Sequence, residues 1–421
     1  MARIQPFHAL RYPAHLSQDM AHLTAPPYDV ITEQDRQRLE SLHPCNVVRL
    51  ILPGQAGKVA DGSFYTGAAS LLKQWQEDGT LVRDPQPAFY PYRQTFRGPD
   101  GELTSRLGFL GALALPGRTE TGKAILPHEK TLEGPRKDRT RLILACRANL
   151  SPIFLLHPDS RETAGATLEE ATRVAPLSRF EDPLGITHEL WKVDEPEKTQ
   201  RLQQSLLADW TLIADGHHRY ESALAVRDTL PGEEGAGFVL AFFCSLKDRG
   251  FRIFPIHRLL RGGDASLTQD FAGGVRERHR VEPLAPGIGP DEILLHLREA
   301  GERTFAVVTR SDPVLLVRLA TQAGVAEDPL EEFDTVLLQK EIFRGVLGFS
   351  DQDIASGAVG YTSDAAEAFR QVRAGQSKAA FLLNPLKVDA VVRAAQAGHR
   401  LPQKSTYFYP KVYTGLVIRT F

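Results

Sequence analysis

Leu212-Ile213-Ala214-Asp215-Gly216-His217-His218-Arg219-Tyr220 is the stretch on which the reading of this chain turns. The apolar run Leu212-Ile213-Ala214 reads as the end of a strand. Arg219 to Asp228, with apolar Ala223, Leu224 and Ala225 set against Glu221, Arg227 and Asp228, reads as a helix. Gly216 between them can take a backbone shape that a side chain resists. A strand, a glycine turn and a helix start with two histidines and an arginine make a compact anion site. The helix start offers unpaired backbone N–H groups and the positive end of its dipole, and Arg219 adds a forked cation. The plain alternative is an Asp-Gly turn with Asp215 capping a helix whose first turn is solvated. Helix starts favour acids over bases, so a basic first turn is unfavourable without an anion on it. The expected guest is a phosphate, held by Asp215, Gly216, His217, His218 and Arg219.

Working outward, the 421 residues suit two or three domains, and the net charge of −2 gives no global field to attract DNA or an acidic membrane. No apolar run reaches transmembrane length, and the start Met1-Ala2-Arg3-Ile4-Gln5-Pro6-Phe7 lacks a signal-peptide core. Cys45, Cys146 and Cys244 are far apart, in apolar contexts, with no zinc-ligand spacing. Buried, reduced thiols in a cytoplasmic protein are expected. Gly54-Gln55-Ala56-Gly57-Lys58 is too short for a phosphate-binding P-loop. Strands and helices alternate throughout: strands are expected at Asn46 to Leu52, Ala88 to Phe96, Leu103 to Leu115 and Phe238 to Leu246, and helices at Ser63 to Asp78, Arg139 to Arg147 and Glu197 to Ala208. Arg261-Gly262-Gly263-Asp264 is the best linker, which predicts an N-terminal catalytic region over 1–260 and a C-terminal α/β domain over 261–421. The fold class is mixed α/β, of the α+β kind.

Other constellations carry chemistry. His128-Glu129 precedes Arg136-Lys137-Asp138-Arg139. Phosphoryl transfer needs cations, a metal held by carboxylates and a base for the attacking hydroxyl. Glu129 is a candidate base with His128 beside it, Asp138 or Asp215 a candidate magnesium ligand, and Arg136, Lys137 and Arg139 candidate phosphate clamps. A salt-bridged surface loop explains the same residues. Asp29, in Pro26-Pro27-Tyr28-Asp29, is a second candidate carboxylate, or a helix cap. His257-Arg258 ends an apolar strand and could line a cleft. Lys404 and Lys411 flank three aromatics in a tail, 404–411, that could return to the site and bind a substrate carboxylate or phosphate; packing onto the core is the stronger explanation of Tyr407 and Phe408.

The order helix, Asp209-Trp210, strand, Asp215-Gly216-His217-His218-Arg219-Tyr220, helix, over residues 189–228, resembles the ParB/sulfiredoxin-like superfamily. That resemblance implies a ParB/sulfiredoxin-like core with added elements at both ends, nucleotide binding at the turn, and an activity like that of the free-serine kinase within it. ATP or ADP with Mg2+ is the implied cofactor, CTP an alternative, since Asp-Gly-His-His-Arg stands where ParB proteins have Gly-Glu-Arg-Arg. Ala25-Pro26-Pro27-Tyr28-Asp29-Val30, His128-Glu129-Lys130-Thr131, Ala214 to Tyr220, Pro255-Ile256-His257-Arg258 and Lys404 to Lys411 together resemble the family called domain of unknown function 1015, which supplies no reaction. The expectation is a nucleotide-dependent kinase acting on a small hydroxyl-bearing substrate such as serine. The rivals are a nucleotide-gated switch without turnover and a phosphoester hydrolase. No membrane partner is expected, and nucleic acid is disfavoured because no helix-turn-helix or basic field is present. The sequence leaves the oligomeric state open.

Overall fold

The computed structural model describes residues 2–52, 63–98, 101–117, 124–207, 210–261, 269–311, 313–320 and 329–421. The tested P-loop segment, the tip of the 98–101 turn, Asp209 and most of the expected linker at 261–264 lie outside the described residues. The chain is mixed α+β and divides into two compact units. The first comprises Met1–Pro127, Thr131–Phe251 and Pro410–Phe421; the second comprises His128–Lys130 and Arg252–Tyr409. The strand His257–Leu260 pairs with Ala379–Leu383 and Val359–Thr362 inside the second unit, so the break falls before it.

The first unit is built on one mixed sheet. Its strands are β1 (Tyr90–Arg97), β2 (Leu103–Ala114), β3 (Ile125–Leu126), β4 (Ile153–His157), β5 (Ser178–Glu181), β6 (Thr187–Leu190), β7 (Thr211–Asp215) and β8 (Phe238–Ser245). They lie in the order β3-β7-β4-β8-β2-β1-β6-β5, with the short strand Ile4–Gln5 also on β2. β4 and β8 are buried along almost their whole length, which explains their continuous apolar runs. Phe109 of β2 and Phe243 of β8 stack at 5.1 Å between ring centroids, and Phe89 meets Phe109 edge-on at 5.5 Å. Two helices, α1 (Glu133–Cys146) and α2 (His217–Thr229), pack against each other beside this sheet.

Asn46 to Leu52, expected as a strand, instead contains the short helix Val48–Ile51. Its apolar residues are buried on all sides, and a run this short carries no period to tell strand from helix. The Asn46 side chain tips the balance: its Oδ1 accepts from the Val48 N–H at 2.8 Å, which favours a helical start over an extended one. Thr32 caps the helix Glu33–Leu42 as its sequence predicts, with Asp35 completing a capping box.

A separate small sheet of the first unit joins Ala9–Arg11, Val82–Arg83, Ala148–Asn149 and Ile418–Thr420. The C-terminal segment is thus a strand of the first unit, and Thr414 bridges to Ala25 just upstream of the Pro-Pro pair.

The second unit holds an antiparallel sheet in the order Arg280–Pro283, Leu315–Arg318, Thr304–Thr309, Ala379–Leu383, His257–Leu260, Val359–Thr362. Along Thr304–Thr309, Phe305 and Val307 join one core cluster while Ala306 and Val308 join another. This alternation is what a strand covered on both faces requires. A two-stranded ribbon, Arg252–Phe254 with Tyr407–Tyr409, completes the unit.

Candidate functional site

The decisive stretch folds as a strand, a turn and a helix. β7 pairs with β4, and the register slips between Ile213 and Asp215, so the strand bulges where its last carboxylate is aimed. Gly216 follows with φ +89° and serves as the N-cap of α2 without any side-chain cap. A side chain at this position would be strained by the backbone shape, and its Cβ would sit 3.0 Å from the Arg219 guanidinium, which would have to give way. The basic first turn is real: His217 and Arg219 are buried at 7% and 6% exposure.

Asp215 is the centre of this arrangement. One carboxylate oxygen accepts from Arg219 Nη2 and the other from Lys411 Nζ. Burial alone would raise this carboxyl, but Lys411 and then Arg219 hold it well below the usual carboxylate range. The three groups leave one positive charge in excess. Arg219 also donates through Nη1 to the Pro152 carbonyl. Its Nε is buried and has no hydrogen-bond partner among the described residues.

Lys411 is itself held. Gln94 Nε2 donates to the Lys411 carbonyl at 2.9 Å, and the fully buried Arg106 donates to Gln94 Oε1. Arg106 lies over the rings of Phe154 and Phe242, 4.6 and 5.3 Å from their centroids. Sequence reading passed over Arg106, although a cation within the apolar strand Leu103–Ala114 was the available signal.

Two expected roles change in this setting. Asp215 was expected as a magnesium ligand, yet both its oxygens are engaged by cations. Asp138 was the other expected ligand; its Oδ1 accepts from Tyr65 at 2.8 Å and its Oδ2 from Arg139 Nε at 2.7 Å. No group of three or more His, Cys, Asp or Glu side chains among the described residues is arranged to hold a metal. A protein-held cage does not fit; a magnesium ion carried on a nucleotide's own phosphates asks less of the protein.

The remaining expected clamps are dispersed in role. His218 Nε2 accepts from the Leu132 N–H at 2.9 Å, so this histidine fastens α2 to the start of α1. Arg136 faces Glu221 at 3.8 Å and Lys137 pairs with Glu133 at 2.6 Å, both on the surface. Arg139 is buried, donates through Nη1 to the Ile51 carbonyl at 2.7 Å, and stacks on Tyr28 at 4.2 Å. Asp29 is exposed, whereas its neighbour Tyr28 faces inward. Burial pushes the Tyr28 phenol up to about 12, Asp29 adding to the rise and Arg139 and Arg219 opposing it.

Tyr28, Arg139, Ser151 and Arg219 line one small cleft in the first unit, with about 30 Å³ of free space. Sequence reading missed Tyr28 and Ser151. Tyr28 was within the quoted Pro-Pro-Tyr-Asp motif, but the weight there fell on the carboxylate.

The other candidates belong to the second unit. His128 is buried, with Nε2 2.9 Å from Thr406 Oγ1. Glu129 Oε1 accepts from the Ser405 and Thr406 N–H groups, each at 3.1 Å, and from Thr406 Oγ1 at 3.0 Å. His257 Nδ1 accepts from the Leu383 N–H at 3.1 Å, and burial, then Arg258, lowers the ring to about 4. Arg258 is buried over Tyr361 at 4.9 Å, and burial brings it down to about 10. Lys404 is exposed, with φ +56°.

A family model described as "protein of unknown function (DUF1015)" matches residues 4–336. The chain belongs to this family. The match carries the DUF1015 assignment through the Asp215–Tyr220 turn and through His257-Arg258. No curated protein matches. Among solved structures, a free serine kinase in complex with AMP is 13% identical, with a TM-score of 0.34, covering 68% of this chain and 83% of that one. A conserved hypothetical protein from Pyrococcus furiosus is 14% identical, with a TM-score of 0.35, covering 68% and 87%. SbnI from Staphylococcus aureus, with a C-terminal truncation, is 11% identical, with a TM-score of 0.36, covering 72% and 85%. No helix among the described residues of this DUF1015 protein is long and apolar enough to cross a membrane.

Proposed function

We propose that this DUF1015 protein binds an adenine nucleotide by its phosphates at the Asp215–Arg219 turn and passes a phosphoryl group to the hydroxyl of a small molecule. The observation that carries the reading is two buried cations, Lys411 and Arg219, gathered on Asp215 at a helix start that has no side-chain cap. Two cations at a helix start are well placed to receive an anion. Phosphoryl transfer is mostly positioning and charge neutralisation, and this site offers both. The backbone N–H groups of the first turn would orient phosphate oxygens. Lys411 would neutralise charge that builds on the transferred group, while Asp215 fixes both cations in place. Mg2+ bound to the nucleotide would add positive charge to the same phosphates.

The test is calorimetric titration of the full chain with ATP and ADP, with and without Mg2+, followed by a transfer assay with L-serine and other hydroxy acids. ADP binding and a phosphorylated acceptor are expected. Lys411→Ala should weaken ADP binding by about tenfold, near 1.4 kcal/mol. Binding without transfer would favour a nucleotide-gated switch, and phosphate release without an acceptor would favour a hydrolase. Absence of any nucleotide binding ends the reading.

A further inference from the structure

Lys411 reaches Asp215 from a segment that buried polar side chains of the main sheet hold by its backbone. Arg106 of β2, Gln94 of β1 and His188 of β6 stand opposite one another on three neighbouring strands, all fully buried. Arg106 Nη2 donates to Gln94 Oε1, and Gln94 Nε2 donates to the Lys411 carbonyl at 2.9 Å. A glutamine amide can face either way, because its oxygen accepts and its nitrogen donates. A guanidinium carries donors only, so Arg106 fixes the choice: the oxygen turns to the cation and the NH2 group to the Lys411 carbonyl. Two residues on, the Tyr413 ring lies 4.3 Å from the His188 ring, centroid to centroid. His188 is itself set between Tyr92 Oη, 2.6 Å from Nδ1, and Asp182 Oδ2, 3.2 Å from Nε2. Arg106 bears the cost of the arrangement. Burial lowers its pKa, and its Nε and Nη1 have no hydrogen-bond partner among the described residues. An apolar side chain between the Phe154 and Phe242 rings would avoid that desolvation. The hydrogen bond that this buried cation does make leads, through Gln94, to Lys411.

We infer that Arg106 and Gln94 are positioning residues for Lys411: the guanidinium locks the Gln94 amide, and the locked amide holds the Lys411 main chain where its ammonium meets Asp215. Both act through the lysine. For Lys411 as a phosphate ligand the inference rests on the nucleotide reading; the placing of the ammonium on Asp215 stands without it.

The experiment compares the full chain with Arg106→Met and with the pair Arg106→Met/Gln94→Met. The pair removes the buried cation together with its partner, so its Tm should equal or exceed the parent's, as replacing buried charge by packed apolar groups often gives. The pair therefore keeps the test open if Arg106→Met alone does not fold. Lys411 is followed by competitive acetylation and peptide mass spectrometry. Lys192 and Lys198 of the same unit, 18% and 21% exposed and each in an ion pair, are the internal standards. Lys411 acetylation in the pair should rise at least about threefold while both standards stay within about 1.5-fold, the scale of one lost hydrogen bond. Unchanged Lys411 acetylation overturns the inference. So does an equal rise in all three lysines, which is the mark of a network that only holds the unit together. Calorimetric titration with ADP gives the second reading. The pair should weaken ADP by about fivefold in the parent and by less than about 1.5-fold in Lys411→Ala, because the lysine it places is then gone. Equal weakening in both backgrounds overturns the inference. If ADP does not bind the parent, the nucleotide reading falls and the acetylation pattern decides the positioning. If ADP binds and Lys411 acetylation is unchanged in the pair, the nucleotide reading stands and the positioning falls.

Discussion

Asp215 and Glu129 are both carboxylates in motifs that carry chemistry, and each is satisfied in a different way. Asp215 is answered by charge, with Lys411 on one oxygen and Arg219 on the other. Glu129 Oε1 is met by neutral donors, two backbone N–H groups and a hydroxyl of Ser405 and Thr406, with His128 Nε2 3.8 Å away. A carboxylate held by backbone and hydroxyl donors of its own unit fixes a chain segment; Glu129 ties His128–Lys130 to the 401–406 turn, where Leu401 also makes backbone bonds with both His128 and Lys130. A carboxylate between two buried cations does something else. It holds two cations together where a helix begins. The difference separates a fastening from a charge centre, although both read as acid-base candidates from residue type alone.

The strongest way to break this comparison is to remove the charge and keep the shape. Asp215→Asn leaves Lys411 and Arg219 buried with no counter-charge, and should destabilise the first unit by about 3–5 kcal/mol, the cost of breaking a buried pair. Lys411→Met in the same background removes one of the stranded cations and should recover part of the loss, so the two changes will be strongly non-additive in denaturant titrations. Inorganic phosphate should raise the Tm of Asp215→Asn by more than it raises the parent's, because the stranded cations then have an anion to hold. Additive losses, and no added effect of phosphate, would mean that Asp215 is a fastening like Glu129.

How much of this was legible beforehand follows from range. The turn itself was readable: Gly216, the strand before it and the helix after it are local, and the structure has them as the pattern implied. The partners of Asp215 are partly so. Arg219 is four residues away on the same helix start. Lys411 is brought in by Ile418–Thr420 joining the small sheet of the first unit, a pairing across nearly the whole chain that no local pattern encodes. Tyr28 and Ser151 meet in one cleft for the same long-range reason, through the Ala25–Thr414 bridge. The Asn46 to Leu52 segment failed locally, because one Asn side chain bonding to Val48 outweighed a β-prone composition.

Titration sharpens the comparison further, because the second unit holds a carboxyl that burial raises despite the Arg303 beside it. Burial, with Glu302 adding to it, raises Asp334 to about 6 from 3.8, opposed by the Arg303 N–H on its Oδ1 at 2.7 Å and by the Arg303 charge. Its folded pKa is raised, so its contribution is complete below about 4 and is lost as pH rises through about 6. His257 runs the other way: its folded value of about 4 lies below 6.5, so its contribution is present above 6.5 and is lost as pH falls through about 4. Each amounts to about 3 kcal/mol over nearly the same window, and they oppose. The parent's second unit should therefore hold nearly constant stability from pH 4 to 6.5. Asp334→Asn removes one side and should expose a fall of about 3 kcal/mol on acidification. Trp75, Trp191 and Trp210 all lie in the first unit, so fluorescence will not report on this. Hydrogen exchange of the strand Ala379–Leu383 will. Asp215, held low by its cations, should contribute no slope in that window, and a slope removed by Asp215→Asn would contradict its assignment as a charge centre.

The smallest effect tests the fastening itself. Glu129→Ala strips three hydrogen bonds and strands the N–H groups of Ser405 and Thr406, which are 1% and 8% exposed. That should cost about 2–3 kcal/mol in the second unit, since a buried donor left unmade is more costly than the mean bond is worth. Glu129→Gln keeps one acceptor oxygen in the same place and should cost about 1 kcal/mol or less. Exchange rates of the Tyr407–Tyr409 strand give both numbers, because that strand follows the turn directly. If the two substitutions are equally damaging, the negative charge of Glu129 matters and not only its oxygen, and Glu129 then belongs with Asp215 rather than against it. If Gln is nearly silent in stability yet abolishes transfer to an acceptor that the parent phosphorylates, the same carboxylate fastens a turn and takes a proton. The contrast drawn from hydrogen-bond partners alone would then fail at its second term.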